Sequence, residues 1–248
     1  MSFQPTEHYR FIFKEGMSGW DIEAAQIALN SAGVLPQLVT DGVFGPRTKG
    51  VVEQVQRSLG ITIDGIAGPQ TQSLLSAREC TRAEPHVTPA GLLKGICLGE
   101  SGGFWAATSS RYPDGSRDYG PLQDNLGSDA SETVIKEAFR VRLQAREVGQ
   151  ARRSAHDFFL GQAGAKTQEA AWRLSVLSYN LPAAANQIAA GRGDTWIYTE
   201  SGTGAKRHLS DVAPWVQAYH IPGVNTGFDW CDYYVATKVA YVKTWEVT

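Results

Sequence analysis

Near the start of the chain, apolar residues recur at helical spacing in two stretches, and each stretch leads into a short glycine-rich run. Ile22, Ala25, Gln26 and Leu29 repeat as Val52, Val55, Gln56 and Leu59. This apolar-x-x-apolar-Gln-x-x-Leu pattern places its members on one side of a 3.6-residue helix. The polar sequence Asp41-Gly42-Val43-Phe44-Gly45-Pro46-Arg47-Thr48 likewise recurs as Asp64-Gly65-Ile66-Ala67-Gly68-Pro69-Gln70-Thr71. Asp-Gly makes a tight turn, and a proline suits the first position of the helix that follows. Residues 14–78 are thus predicted to form three short helices, over 18–32, 46–59 and 69–77, with Ser18 capping the first and Asp21 in its first turn.

Beyond residue 78 the periodicity lapses. Residues 79–87 are polar and contain Pro85, which predicts a linker. Thr88-Pro89 then predicts an N-cap and first position for a new helix, with Leu92, Leu93, Ile96 and Cys97 on its apolar face and its end at Gly99-Glu100-Ser101-Gly102-Gly103. A long helix is predicted over 131–160, with Val134, Ala138, Val141, Ala145 and Val148 inward. Lys136, Arg140, Arg142, Arg146, Arg152 and Arg153 form its solvated face. A small irregular or hairpin segment is expected near 103–125.

The chain has 248 residues, 42% of them hydrophobic, with 23 basic and 25 acidic side chains. That length supports a sizeable core, and the near balance of charge argues against a dedicated nucleic-acid binder. Cys80, Cys97 and Cys231 do not make a disulfide framework and are expected as reduced thiols. His8, His86, His156, His208 and His220 have neither HxxxH nor HExxH spacing, which argues against a zinc amidase or peptidase. Neither a metal nor an organic cofactor is expected. No apolar run approaches the ~18 residues of a membrane span, and the first residues lack the pattern of a secretory signal. No stable membrane insertion is expected, and the chain is expected to be a monomer. The segment Tyr9–Phe13 is expected to pack on the helices that follow.

The paired motifs and their helices resemble the peptidoglycan-binding domain of cell-wall hydrolases, over nearly all of 14–78. In that resemblance Asp41, Phe44, Arg47 and Asp64 are candidate wall contacts, with turn shaping as the other reading of these residues. The second part, about 88–247, resembles the superfamily of soluble lytic transglycosylases and goose-type lysozymes. It carries Glu100-Ser101, then Ser109 nine residues after the glutamate, then Gly120-Pro121-Leu122-Gln123, then Tyr179-Asn180. A terminal helix with Tyr234, Tyr241 and Trp245 completes the likeness. Phage endolysins join the same two modules. The implied fold is mainly α: a three-helix binding module over 1–78 and a lysozyme-like muralytic domain over 88–248. The implied partner is bacterial peptidoglycan, and the implied location is the host cytoplasm until a holin releases the protein to the wall.

The resemblance implies that Glu100 is the general acid on the β-1,4 bond between N-acetylmuramic acid and N-acetylglucosamine. A carboxyl raised in pKa by partial burial could protonate the leaving oxygen. Ser109, Tyr119, Gln123, Asn180 and Tyr241 would contact substrate or support the site, and Tyr179 would hold Glu100 or stabilise charge near the anomeric carbon. Lytic transglycosylation needs only Glu100. Inverting hydrolysis needs a second carboxylate about 6.5–9.5 Å away, and Asp114 is the candidate, although Pro113-Asp114-Gly115 also reads as a simple turn. Trp105, Tyr112, Tyr119, Trp196, Tyr198 and Trp215 could line a glycan groove, half or more of them being core instead. A non-catalytic wall-binding protein is the reading from another class.

Overall fold

A computed structural model describes residues 3–6, 8–85, 87–180, 182–191, 197–199 and 206–208. The described residues are mainly helical. Helices α1 (Trp20–Ser31), α2 (Pro46–Leu59) and α3 (Pro69–Ala83) form the first unit. The second holds α4 (Leu92–Ser101), α5 (Glu132–Ala138), α6 (Val141–Phe159), α7 (Gln168–Asn180) and α8 (Pro182–Ala189). Strands β1 (Arg117–Tyr119) and β2 (Asp124–Leu126) pair antiparallel with Asp118 opposite Asn125. A second hairpin joins β3 (Ile197–Thr199) to β4 (Lys206–His208). No helix among the described residues is long and apolar enough to cross a membrane.

The duplicated pattern works through its glutamines. Gln26 of α1 is buried and donates to the Asp41 carboxylate at 2.9 Å and the Val43 carbonyl at 3.0 Å, while its oxygen accepts the Gly42 amide at 2.9 Å. Gln56 of α2 repeats this one copy later, donating to Asp64 at 2.7 Å and Ile66 at 2.9 Å and accepting from Gly65 at 2.9 Å. Each helix therefore satisfies the buried backbone of the turn that starts the next one. Buried peptide groups need such partners. Ser18 does not cap α1: Gly19 occupies that place, and the Ser18 carbonyl instead accepts from Arg10, which also pairs with Asp21.

In α3 the same register position carries an acid. Gln56 lies ten residues after Pro46, and Glu79 lies ten after Pro69. Glu79 is fully buried and accepts from Arg82 at 2.8 Å and from Arg142 Nε at 2.7 Å. Arg142 belongs to α6, so this position now joins the two units. The expected linker is accordingly absent over 79–83, where α3 continues with Cys80 and Ala83 buried. Cys80 lies against Cys97 of α4, both as free thiols, and this contact together with burial holds the Cys80 thiol far above its ordinary value.

Helix α4 starts three residues later than Pro89, because its cap comes from elsewhere. The Glu84 carboxylate accepts from the Gly91 amide at 3.0 Å and the Leu93 amide at 2.8 Å. It thereby engages amide groups at the helix start that have no partner within the helix, at the end where a negative charge is favoured. The helix predicted over 131–160 is broken between Ala138 and Val141. Phe139 turns inward there, its ring 5.9 Å from Phe3 and 6.2 Å from Tyr119, and Val134 is left exposed. The basic stripe is not simply solvated. Lys136 pairs with Glu23 and Glu132 at 2.6 Å each, Arg142 pairs with Glu79, and Arg152 donates to the Ser175 carbonyl at 2.6 Å.

The first residues strap the two units together. Phe3 packs against Trp20 and Phe139, and the Pro5 carbonyl accepts from Arg117 at 2.8 Å. Farther along, Phe13 is fully buried and its amide and carbonyl bridge Ala67, whereas Phe11 and Ile12 are half exposed.

Replacing Gln56 by leucine keeps the bulk but strands the Asp64 and Gly65 amides. Stability is expected to fall by about 2–4 kcal/mol, read from urea unfolding. The same change at exposed Gln70 is expected to alter stability by less than about 0.5 kcal/mol.

Candidate functional site

Glu100 lies in the last turn of α4 and is partly buried. The helix ends on Gly102 and Gly103, both with left-handed backbone at φ 70° and 76°. At Gly103 a Cβ would come within 3.0 Å of the Ser73 Cα, so only glycine fits this approach of α3. Ser76 donates to the Gly103 carbonyl at 2.8 Å, and Ser73 donates to the Gly102 carbonyl. Gln72 adds a third tie, accepting the Trp105 amide at 3.1 Å while donating to the Phe11 and Ala67 carbonyls. The end of the glutamate helix is therefore gripped by α3.

Ser101 connects that end to the loop over 120–123, donating to the Pro121 carbonyl at 2.6 Å. Gly120 has φ 76° and a Cβ there would overlap the Ala138 carbonyl at 2.0 Å, so no other residue fits. Buried Gln144 of α6 holds the loop from behind, donating to the Tyr119 carbonyl at 2.7 Å and accepting the Leu122 amide at 3.0 Å. Gln123 has the positive φ of 56°, in a region that non-glycine residues rarely occupy. Its amide nitrogen donates to the Gly120 carbonyl at 2.8 Å, so this side chain braces its own turn.

Tyr179, from the end of α7, donates its hydroxyl to the Leu122 carbonyl at 2.5 Å, and the Arg152 guanidinium sits 5.0 Å from its ring centre. The hydroxyl proton expected for Glu100 is thus committed to the loop. Burial first, and then the Glu100 charge, hold this phenol well above its ordinary value. Tyr112 is also held up, to about 12, by burial and its bond to Asp118, with the Glu100 charge contributing. Ser109 accepts the Asp118 amide at 2.9 Å and donates to the Ser110 carbonyl, which fixes the strand rather than leaving the hydroxyl free.

The carboxylate gathered here is not Asp114. That side chain is exposed and accepts from the Ser116 amide at 2.9 Å and hydroxyl at 2.7 Å, bonds that lower its pKa and close its own turn. Asp118 and Asp124, on β1 and β2, are the acids that bear on Tyr179 together with Glu100. Half-buried Asp124 is raised by burial and by the charges of Glu147 and Asp118. Tyr119 is a core residue against Phe139, and Trp105 is fully buried with its indole donating to the Gln72 carbonyl at 3.2 Å. Of the suggested aromatic groove, only Tyr112 is exposed among Trp105, Tyr112 and Tyr119. Tyr241, Trp196 and Trp215, and the side chains of Asn180 and Tyr198, lie outside the described residues.

In the first unit, Asp41 and Asp64 each serve a turn. Asp41 is lowered in pKa by the Gln26 amide and the Val43 N–H, Asp64 by the Ile66 N–H and the Gln56 amide. Phe44 is buried in the core, and Arg47 donates to the Gln37 carbonyl at 3.1 Å. The residues that do the structural work, Gln72, Glu84 and Gln144, stand out in the sequence by no motif. Among the described residues, no three His, Cys, Asp or Glu side chains are grouped as a metal ion would require.

Residues 18–75 match the family model described as “Putative peptidoglycan binding domain”. That region covers α1, α2 and the first half of α3. The chain is 40% identical over 87 residues to a “Probable N-acetylmuramoyl-L-alanine amidase” of Bacillus licheniformis, covering 34% of this chain and 25% of the relative. It is 37% identical over 92 residues to the “N-acetylmuramoyl-L-alanine amidase CwlL” of the same organism, covering 34% and 26%. It is 45% identical over 58 residues to the “Zinc D-Ala-D-Ala carboxypeptidase” of Streptomyces albus G, covering 23% of each chain. The chain thus spans about a quarter of the length of these curated relatives. No solved structure matches it.

The raised Asp124 carboxyl has a signed consequence. Unfolded, it titrates near 3.8, and folded it titrates higher, so its contribution to stability is present below the unfolded value and is lost as pH rises through the folded one. Asp124→Asn is expected to raise the thermal midpoint near pH 7, with the gain shrinking as pH falls through the carboxylate range toward 3.8. Melting curves across that range check it.

Proposed function

We propose that the protein binds bacterial peptidoglycan through its first unit and cleaves the glycan strand with Glu100 as general acid. The observation that carries the catalytic half is the joint reach of the Glu100 charge to the Tyr179 and Tyr112 hydroxyls, around a loop braced by Ser101 and Gln144. Both phenols stay protonated beside this carboxyl, each proton held by a fixed partner, the Leu122 carbonyl and the Asp118 carboxylate, so neither adds a charge to the site. The match over 18–75 supports the wall-binding half.

In this reading the Glu100 carboxyl protonates the bridging oxygen as the bond from the muramic-acid C1 to that oxygen breaks. The resulting carboxylate then takes the proton of the same sugar's C6 hydroxyl, whose oxygen closes on C1. One carboxylate serves both steps and the product is a 1,6-anhydro end. Asp114, turned into its own loop, lends no support to hydrolysis. Asp118 or Asp124 would be the base if water were used instead, and a reducing end would then be released.

The names of the matched relatives favour a second reading, cleavage of an amide or peptide bond in the same polymer. Among the described residues, no grouping of His, Cys, Asp or Glu side chains fits the zinc ion that one of those names carries.

Glu100→Gln is expected to lower the clearing of peptidoglycan in gels by about 10²–10⁴-fold, the usual weight of a general acid, while binding to insoluble wall persists. Equal clearing by both proteins would overturn the assignment. Mass spectrometry of the released fragments is expected to find anhydro-muramic ends, with reducing ends or free stem peptides as the results that would displace this route.

A further inference from the structure

Between α1 and α5 the surface opens into a cavity of about 360 Å³, within the roughly 300–1,000 Å³ usual for small-ligand sites. Ile27, Ser31 and Thr40 line one side, and Thr133, Glu137 and Arg140 line the other. The first side belongs to the unit matched to the wall-binding family. The second comes from α5 and the turn after it, outside that match. The cavity is thus a product of how this chain packs its two units.

Several of its polar groups are already engaged. Lys136 is held between Glu23 and Glu132, and the Asn30 amide spans the Leu38 backbone in both directions. Glu137 and Arg140 are different. Both are exposed, and among the described residues neither side chain has an ion-pair or hydrogen-bond partner. Glu137 is in the last turn of α5 and Arg140 in the turn that follows, where its amide donates to the Glu137 carbonyl at 2.9 Å, so both charges stand at the cavity wall. No aromatic ring lines the cavity, so it has no platform for the C–H face of a sugar. A neutral glycan would also leave both charges unanswered.

We propose that this cavity binds a short peptide bearing both a free carboxylate and a free amine, the chemistry of the peptidoglycan stem peptide. The inference rests on the wall-binding reading above and gives it a contact. Arg140 takes the carboxylate, where a guanidinium offers paired donors. Glu137 takes the amine, the Thr40 and Thr133 hydroxyls bond the peptide backbone, and Ile27 meets an alanine methyl.

The test is titration calorimetry of the full chain with soluble stem tetrapeptide and with an N-acetylglucosamine tetramer, beside co-sedimentation with intact wall in the cold. The tetrapeptide is expected to bind and to compete with the wall. Arg140→Ala is expected to weaken both by about tenfold, equivalent to one charged hydrogen bond, and Glu137→Gln to weaken the tetrapeptide selectively over an analogue lacking the amine. Both positions are exposed, so circular dichroism is expected to be unchanged. Wall binding that persists undiminished in Arg140→Ala, with no tetrapeptide heat, would overturn this site and leave the wall-binding reading intact. A wild-type chain that fails to sediment with wall would overturn both.

Discussion

Helix α4 has no cap of its own at its start and ends in two glycines, so its place in the molecule is set by the neighbour that supplies what it lacks. That neighbour is α3. Glu84, just beyond α3, accepts the first amides of α4, and Ser73 and Ser76 hold the carbonyls of Gly102 and Gly103 at its end. Between these points Cys80 meets Cys97 across the helix faces. Glu100 is therefore positioned by the first unit as much as by its own. The proton transfer proposed for this carboxyl needs placement to a fraction of an ångström, and the two fixed ends of α4 supply it.

The polar interior is divided between amides and ions. Gln26, Gln56, Gln72 and Gln144 are neutral and each bonds peptide groups in more than one direction, which suits buried turns where a charge would cost more to desolvate. Glu79 is the most deeply buried carboxylate among the described residues and draws three arginines, Arg78, Arg82 and Arg142. Removing one partner of such a buried pair leaves an uncompensated charge, so this position ties the two units more stringently than an amide could. Around Glu100 the balance is reversed. There, acids and phenols lie together, and burial keeps protons on the phenols.

Much of the first unit was legible. The helix over 46–59 has the bounds predicted, because proline at one end and glycine at the other mark it in the chain itself. The repeated Gln and Asp-Gly were also visible, although their hydrogen bonds to one another were not, since they connect residues 8 to 17 apart through folded space. What failed were the local readings of groups with distant partners. Thr88-Pro89 looks like a cap until Glu84 is found to do that work, and residues 79–83 look like a linker because their partner Arg142 lies in another helix. The site followed the same division. Glu100 and the glycine pair could be picked out by type and order, but Asp114 could not be told from Asp118 without knowing which one faces its own turn. Phe44 and Tyr119 read as contacts in the sequence, and packing places both in the core.

Each of the first two helices uses a buried amide to finish the turn ahead of it, and the third carries an acid at that position with no such turn to follow. The tandem array is therefore closed at one end by its own chemistry. A further copy could be inserted between the existing ones with every donor and acceptor matched, whereas one appended after α3 would find Glu79 already claimed by the guanidinium of α6. Growth of the repeat and attachment of the second unit are mutually exclusive uses of one side chain.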